Sequence, residues 1–328
     1  PDDRIMPKAR GIRFFNHGPH LHEYLDEFRR DVFSKYDCMT LAEAPMVTPD
    51  IALKYIDERN EPVLDMMIQF KTQEADCFFT DFMHVPFSLT KLKRAYTKWQ
   101  KGLEGKGWNM LYIENHDHPR MVSRYGSEKF REASAKTLAV SYLFLKGTPF
   151  IYQGQEIGMS NWYPESPDMY EDVQTRWQYE NVGTKKSPKK RLERLWHGSR
   201  DSARTPVQWS DGENAGFTTG EPWLECMPNY EKINVEVQDK DEDSVLNFYR
   251  KMIALRHEIP TLVYGDFRLA KEKWSDVLAY YRIGEKDTYY IEINLTDKQV
   301  KKPVCTNGFE LIASNIKANK KDLLVPFE

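Results

Sequence analysis

The segment WNMLYIENHD, residues 108–117, decides the fold class. It is an apolar run, Trp108–Ile113, that ends directly in the polar residues Glu114–Asp117. A short apolar run of this kind is typical of a buried strand. The next long apolar-rich segment, Arg131–Lys146, has the length and composition of a helix and is stopped by Gly147. A strand followed by a helix of this length predicts a parallel sheet with crossover helices.

The same alternation of strands and helices extends in both directions from this segment. Upstream, the strand candidates are Cys38–Leu41, which runs into Glu43, and Val63–Phe70. Downstream, Phe150–Tyr152 is a further strand candidate. This series predicts half of an eight-stranded α/β barrel, in which polar residues just after the strand ends form the active site. The accompanying helix candidates are residues 21–36, 89–100, 131–146 and 244–257.

The rest of the sequence divides into an insertion and a second domain. Residues 157–242 are rich in Pro, Trp, Asn, Gly and charge, and they predict an irregular insertion within a barrel domain of residues 1–260. Its basic stretch, Lys185–Arg194, is interpreted as solvated surface. Over residues 261–328 we expect a small antiparallel β-sandwich domain. Its strand candidates are residues 276–281, 288–294 and 309–313.

The composition is that of a globular chain of 328 residues, 40% hydrophobic and 30% charged, with a formal net charge of −3. This charge argues against partners such as nucleic acid or anionic lipid. Neither a signal peptide nor an apolar run of about 18 residues is present in the sequence. The cysteines lack metal-ligand spacing, and we expect reduced thiols in a cytoplasmic protein. They are Cys38, Cys77, Cys226 and Cys305.

Two carboxyl groups at predicted strand ends, Glu43 and Asp117, are of the residue type that cleaves glycosidic bonds. That reaction takes two carboxyl groups beside the anomeric carbon, one to protonate the leaving oxygen and one to attack or to activate water. Additional charged groups stabilise the transition state, which resembles an oxocarbenium ion. A single strand-end glutamate is more often an ion-pair partner than a catalyst, so residue type alone leaves both interpretations open.

Four ordered motifs resemble those of glycoside hydrolase family 13. Tyr112–Arg120, YIENHDHPR, resembles the family's ENHD-x-PR region, and Thr40–Pro45, TLAEAP, resembles the region around its acid/base glutamate. Gly147–Met159, GTPFIYQGQEIGM, resembles a further strand motif. Asp201–Trp209, DSARTPVQW, followed by Asn214–Phe217, resembles the signature of the oligo-1,6-glucosidase, α-glucosidase and dextran glucosidase branch. The resemblance runs from about residue 10 to the end of the chain.

The resemblance implies a fold and an activity. The fold is the C-terminal half of a (β/α)8 TIM barrel, followed by a small antiparallel β-sandwich domain. The activity is that of a retaining α-glucosidase that releases glucose from the non-reducing end of short isomalto- or malto-type oligosaccharides. A transglucosylase or sucrose isomerase uses the same catalytic set, and a non-catalytic, glucosidase-like binding subunit is an alternative of another class.

The resemblance also implies a role for each matched residue. Glu43 is expected to be the general acid/base, and Asp117 to stabilise the transition state. His116 and Arg204 are expected to bind the glucose in the −1 subsite, with Arg200 as the alternative to Arg204. Arg120 is expected either to shape the edge of the substrate site or to have a structural role.

The family's nucleophile, an Asp in a G-F-R-x-D strand end, has no counterpart in this sequence. Asp2 and Asp3 follow no strand, so neither qualifies. We therefore expect the nucleophile and the first half of the barrel upstream of residue 1, and we expect the chain to require them. No cofactor and no metal ligand are predicted within residues 1–328, because the calcium loop of some relatives belongs to the N-terminal part.

Three matched positions depart from the family pattern. Gln155 stands where the family usually has Glu, and Met46 replaces the Gly that often follows the EAP tripeptide. Gln174 stands where members acting on α-1,6 linkages often have a Glu at the aglycone subsite. The preference between α-1,6 and α-1,4 linkages therefore stays open.

Overall fold

Two compact units make up the chain, which a computed structural model describes over residues 17–78, 80–270, 276–303, 308–316 and 323–328. The first unit consists of the residues up to Lys71 together with Ala95–Met110. The second consists of Thr72–Arg94 and Leu111–Glu328. Within the described ranges, no helix combines the length and the apolar character that a membrane span needs.

The secondary structure contains helices and short strands up to residue 149, helices from there to residue 264, and strands after it. The helices are α1 (Leu21–Asp31), α2 (Pro49–Ile56), α3 (Leu89–Leu103), α4 (Met121–Tyr125), α5 (Arg131–Leu143), α6 (Val173–Asn181), α7 (Pro188–Trp196), α8 (Asp201–Arg204), α9 (Val235–Lys240), α10 (Val245–Glu258) and α11 (Pro260–Tyr264). The strands are β1 (Leu41–Glu43), β2 (Met66–Ile68), β3 (Cys77–Phe78), β4 (Thr80–His84), β5 (Met110–Leu111), β6 (Thr148–Pro149), β7 (Asp266–Leu269), β8 (Val277–Ile283), β9 (Thr288–Asn294), β10 (Val300–Lys301) and β11 (Leu323–Leu324).

In the first unit, strand β1 pairs in parallel with β2. The pairing is fixed at its start because Asp65 Oδ2 accepts hydrogen bonds from the backbone N–H and the hydroxyl of Thr40, at 2.6 and 2.7 Å. The strand therefore covers Leu41–Glu43 rather than the predicted Cys38–Leu41. Glu43 is the last residue of the strand, so the predicted position of this carboxylate at a strand end is confirmed.

Helix α2, which the sequence prediction lacks, begins with standard signals. The hydroxyl of Thr48 accepts a hydrogen bond from the N–H of Ile51 at 3.4 Å, and Pro49 occupies the first turn. The helix packs into the core of the first unit, because its buried face is apolar. The buried residues of that core are Ala44, Val47, Ala52, Tyr55, Ile56, Val63, Leu64, Met67, Trp99 and Leu103.

Helix α1 is shorter than predicted and presents its apolar stripe to solvent. It ends at Asp31 and is followed by one 3₁₀ turn, Phe33–Lys35. None of its residues is buried, and Phe28 is 54% exposed. Leu25 packs against the core of the first unit. The predicted amphipathic pattern is present, but among the described residues most of its apolar face is uncovered.

The second unit contains helices α5 and α10, which were both expected from the sequence. They pack together, and Gln155 joins them by donating hydrogen bonds to the phenol oxygens of Tyr142 on α5 and Tyr249 on α10, both at 2.9 Å. Gln155 is fully buried, so an uncharged amide suits a position where a carboxylate would lose its hydration. The departure from the family pattern at this position thus has a physical role in packing.

Residues 157–242 are more regular than predicted, since they contain helices α6 to α9. The side chains of Asp172, Ser187 and Asn234 each accept a hydrogen bond from a backbone N–H three residues later and begin α6, α7 and α9. Polar residues that suggest loops thus serve as helix caps here, while the predicted insertion within the barrel domain stays a prediction. The lysines of the basic stretch 185–194 are exposed, as predicted.

The C-terminal residues form the predicted antiparallel sheet, in the order β7-β8-β9. Tyr280 of β8 lies opposite Leu269 of β7 and Ile291 of β9. The expected strand at residues 309–313 is absent, because Leu311 and Ile312 are exposed at 62% and 52% and have no strand partner among the described residues. The predicted domain boundary at residue 261 stays a prediction.

Candidate active site

A tight turn after strand β5 sets the direction of the Asp117 side chain. The strand leads into the buried residues Tyr112, Ile113 and Glu114. The side-chain oxygen of Asn115 then accepts a hydrogen bond from the backbone N–H of Asp117 at 3.0 Å. Such an Asx turn reverses the chain locally and stiffens it. The carboxylate of Asp117 is thereby fixed on a short, hydrogen-bonded turn.

Three positively charged or ionisable side chains surround Oδ1 of Asp117. The guanidinium of Arg204 donates to this oxygen at 3.0 Å and that of Arg200 at 3.2 Å. His116 Nε2 lies 3.6 Å from the same atom. Arg204 also donates through Nε to the carbonyl oxygen of His116 at 3.0 Å. The structure thus brings together His116, Asp117 and Arg204, which the sequence selected from motifs far apart in the chain.

The cluster is accessible to a ligand while its charges are already paired. The side chain of Asp117 is 29% exposed and that of His116 is 60% exposed. Two carboxylates, Asp117 and Asp172, balance the charges of the two guanidinium groups. The remaining donors of the arginines and the imidazole suit hydroxyl oxygens of a sugar.

Arg200 is an additional member of the cluster that the sequence left as the alternative to Arg204. Besides Asp117, its guanidinium contacts the side-chain oxygen of Gln174 at 2.5 Å and a carboxylate oxygen of Asp172 at 3.6 Å. Both arginines therefore contact Asp117, and which of them binds the glucose stays a prediction. Gln174, noted as a departure from the family pattern, lies directly against Arg200.

The contacts of Arg120 favour the structural role over the edge of the substrate site, the two alternatives that the sequence left open. Its side chain is fully buried and forms an ion pair with the buried Glu114 at 2.7 Å. The same guanidinium donates to the carbonyl oxygens of Gln153, Ser202 and Ala203 at 2.7 to 3.2 Å. With its donors used inside the protein, Arg120 ties the turn after β5 to the segment that positions Arg204.

Glu43 lies in the first unit, at the end of β1, with an exposed side chain. Among the described residues, the carboxylate of Glu43 has no hydrogen-bond or ion-pair partner, in contrast to the carboxylate of Asp117. The chain after it turns sharply at Met46, whose φ is +64°. This left-handed conformation favours glycine, which is the residue that the family pattern has at this position.

A buried acidic network in the second unit was not predicted. Arg124 binds both oxygens of Asp76, at 3.0 and 2.6 Å, and lies 3.2 Å from Asp81. His118 Nδ1 lies 2.6 Å from the other oxygen of Asp81. Asp76, Cys77 and Asp81 are close enough to share a metal ion, but Arg124 already contacts both carboxylates. The prediction that residues 1–328 hold no metal ligand stays a prediction.

Three thiols are free among the described residues, and the expectation of reduced cysteines in a cytoplasmic protein stays a prediction. They belong to Cys38, Cys77 and Cys226, whereas Cys305 lies outside the described residues. Burial raises the pKa of Cys77 to about 12, so this thiol is protonated at neutral pH.

A family model and curated proteins are similar to this chain in sequence. The model of the family described as "Alpha amylase, catalytic domain" matches residues 1–265. The oligo-1,6-glucosidase of Parageobacillus thermoglucosidasius is 43% identical over 296 residues, which are 88% of this chain and 52% of that protein. The chain spans about half the length of the curated relatives that it matches.

Two solved structures of sugar-converting enzymes superpose closely on this chain. The trehalose-6-phosphate hydrolase of Bacillus licheniformis superposes with a TM-score of 0.90 at 36% identity, over 96% of this chain and 59% of the other. The isomaltulose synthase of Klebsiella sp. LX3 superposes with a TM-score of 0.86 at 34% identity, over 98% of this chain and 60% of the other. Together the comparisons confirm a TIM-barrel fold with a C-terminal antiparallel sheet.

Proposed function

The chain belongs to the α-amylase catalytic-domain family of glycoside hydrolases, in its oligo-1,6-glucosidase branch, and from this premise we propose that it is part of a retaining α-glucosidase. The enzyme releases glucose from the non-reducing end of short isomalto- or malto-type oligosaccharides. The single observation that supports this most is the convergence of Arg200, Arg204 and His116 on one oxygen of the partly exposed Asp117.

In the proposed mechanism, two displacements at the anomeric carbon retain its configuration. In the first, a nucleophilic Asp upstream of residue 1 bonds to the anomeric carbon while the glycosidic bond breaks. Glu43 gives its proton to the departing oxygen. In the second, Glu43 takes a proton from water, whose oxygen bonds to the anomeric carbon and releases the nucleophile. Carboxyl groups carry out both steps, so the reaction needs no cofactor.

The cluster around Asp117 binds the glucose that is transferred. Asp117 accepts hydrogen bonds from sugar hydroxyls and opposes the positive charge that develops on the ring. His116 and Arg204 donate to other hydroxyls of the same glucose. Because Arg204 is also bonded to the carbonyl oxygen of His116, it keeps its place when a sugar displaces its contact with Asp117.

The proposal requires the first half of the barrel and a nucleophile upstream of residue 1. It is supported by the share of the relatives that this chain matches, which is about half of their length. We expect a G-F-R-x-D strand end within about 15 to 40 residues before residue 1, the length of a barrel connection. Its absence from the preceding sequence would contradict the catalytic assignment.

A second candidate is transfer of glucose to another sugar in place of water. It is favoured by the structural similarity to an isomaltulose synthase. Water and sugar compete for the same glucosyl-enzyme intermediate, so residues on the aglycone side, such as Gln174, decide the outcome. Incubation with sucrose distinguishes the two, because an isomerase forms a new disaccharide whereas a hydrolase releases monosaccharides.

The test uses the full-length protein with p-nitrophenyl α-glucoside and with isomaltose. We expect turnover of both, and a loss of roughly 10² to 10⁴-fold on isomaltose for Glu43→Gln. Glu58→Gln is the matched control, because Glu58 is an exposed glutamate of the same unit. No turnover of either substrate at any pH would favour the non-catalytic alternative.

A further inference from the structure

A closed set of buried hydrogen bonds joins the start of helix α8 to the start of helix α6. It consists of Asp172, Thr175, Ser199 and Asp201, and is called the buried ring below. The four residues are at most 8% exposed. None of them was selected from the sequence as a functional residue, and all are short polar side chains in a region that excludes water.

The buried ring begins at Asp201, which joins helix α8 to the start of α6. Its Oδ2 accepts hydrogen bonds from the backbone N–H groups of Glu171 and Asp172, at 2.8 and 3.0 Å. These groups lie just before and at the cap of helix α6. A carboxylate oxygen that accepts two backbone donors fixes the position of both residues.

The ring closes through the helix cap. Oδ2 of Asp172 accepts from the backbone N–H and the hydroxyl of Thr175, at 2.8 and 2.6 Å. The hydroxyls of Thr175 and Ser199 lie 3.0 Å apart, and Ser199 Oγ accepts from the backbone N–H of Asp201 at 3.3 Å. Each bond of the set supports the next, so opening one loosens the connection between α6 and α8.

The buried ring also fixes the groups at the start of α6 that contact Arg200. Residues of α6 supply two of its contacts, with Gln174 Oε1 at 2.5 Å and Asp172 Oδ1 at 3.6 Å. The third contact is Oδ1 of Asp117 at 3.2 Å. Arg204 differs, because its second contact is the carbonyl oxygen of His116, which is outside the ring.

We propose that Asp201 is a positioning residue that acts through Arg200. By fixing the start of α6 against α8, Asp201 holds Gln174 and Asp172 where they direct the Arg200 guanidinium onto Asp117. Only the expected change in kcat/KM rests on the proposed function. The placement of Arg200 itself is independent of the reaction.

The kinetic test is a double-mutant cycle in the full-length protein with isomaltose as substrate. Asp201→Ala is expected to lower kcat/KM about 10- to 100-fold, the value of one charge-assisted hydrogen bond. In an Arg200→Ala background the same substitution should change kcat/KM less than about twofold. Asp201→Asn should retain most of the activity, because its carbonyl oxygen accepts from the same two N–H groups. An equal loss in both backgrounds, or a loss for Asn equal to that for Ala, would overturn the proposal.

A crystal structure of Asp201→Ala separates this inference from the proposed function. Arg200 should move beyond about 4 Å from Asp117, outside ion-pair distance, while Arg204 stays in place. If Asp201→Ala does not fold, Ser199→Ala opens the ring at another bond and is used in the same measurements. Absence of turnover by the wild type contradicts the proposed function alone. An unmoved Arg200 contradicts the positioning role, whatever the activity.

Discussion

The Nη2 atom of Arg204 lies 3.0 Å from Oδ1 of Asp117, and Nε of the same side chain donates to the carbonyl oxygen of His116. One guanidinium thus links residues that are 87 and 88 positions away in the sequence. The planar arrangement of its donors makes both contacts at once, which an ammonium group cannot reproduce in the same geometry.

The first prediction follows from this geometry. Arg204→Lys keeps the charge but loses one of the two contacts, so kcat/KM should fall about 10- to 100-fold. Arg250→Lys is the control, because Arg250 is an exposed arginine paired with Asp239. Equal kcat/KM values for Arg204→Lys and wild type would remove Arg204 from the glucose site.

The second prediction separates a structural arginine from a ligand-binding one. Arg120→Met leaves Glu114 buried without its partner, and the free energy of unfolding should fall by about 3–5 kcal/mol. Arg204→Met changes a partly exposed arginine and should cost about 1 kcal/mol or less. Urea denaturation of both variants measures this difference. Similar stabilities of the two variants would contradict the structural role of Arg120.

The third prediction concerns the left-handed turn after Glu43. A non-glycine residue in this conformation costs about 1–2 kcal/mol, whereas glycine costs the unfolded chain about 0.5–1 kcal/mol of entropy. Met46→Gly should therefore leave stability unchanged or raise it by up to about 1 kcal/mol. Met39→Gly is the matched control, since Met39 is exposed and its φ is not positive, and it should lower stability. A lower melting temperature for Met46→Gly than for Met39→Gly in thermal denaturation would refute this explanation.

The fourth prediction is a pH dependence of stability. Burial raises the pKa of Glu156 above its ordinary value, and its Oε2 has no hydrogen-bond partner among the described residues. The folded state therefore holds this proton at pH values where the unfolded state has released it. The free energy of unfolding of the wild type therefore falls as pH rises above the pKa that Glu156 has in the unfolded state. The fall ends once pH exceeds the pKa that Glu156 has in the folded state.

Glu156→Gln does not titrate, so its stability relative to wild type should increase as pH rises above the carboxyl pKa of the unfolded chain, about 4.3. Melting temperatures across this pH range measure the difference. Glu58→Gln serves as the control for the same substitution at an exposed glutamate. A constant difference between Glu156→Gln and wild type would mean that Glu156 titrates alike in both states.

The sequence predicted the site best where its residues are adjacent or belong to a recognisable motif. Asn115, His116 and Asp117 follow one strand, and Arg204 belongs to a signature that resembles those of known enzymes. The ends of helices α5 and α10 were predicted within a few residues, because Gly147 after α5 and the cap Ser244 before α10 are local signals.

The contacts that the sequence could not supply join residues far apart in the chain. The ion pair of Arg124 with Asp76 spans 48 residues, and the bond of Asp201 with Glu171 spans 30. Such pairs depend on tertiary packing and leave no periodic pattern. Helix α2 is different, since Thr48 and Pro49 are a local start signal that the prediction did not use.

The most direct test of the central claim is the anomeric form of the glucose that the full-length protein first releases from p-nitrophenyl α-glucoside, whose leaving group is not a sugar, followed by proton NMR. A retaining mechanism with Glu43 as acid/base predicts that α-glucose appears first and converts to the equilibrium mixture later. It also predicts that Glu43→Gln slows this release. Initial release of β-glucose, or an unchanged rate in Glu43→Gln, would contradict the account.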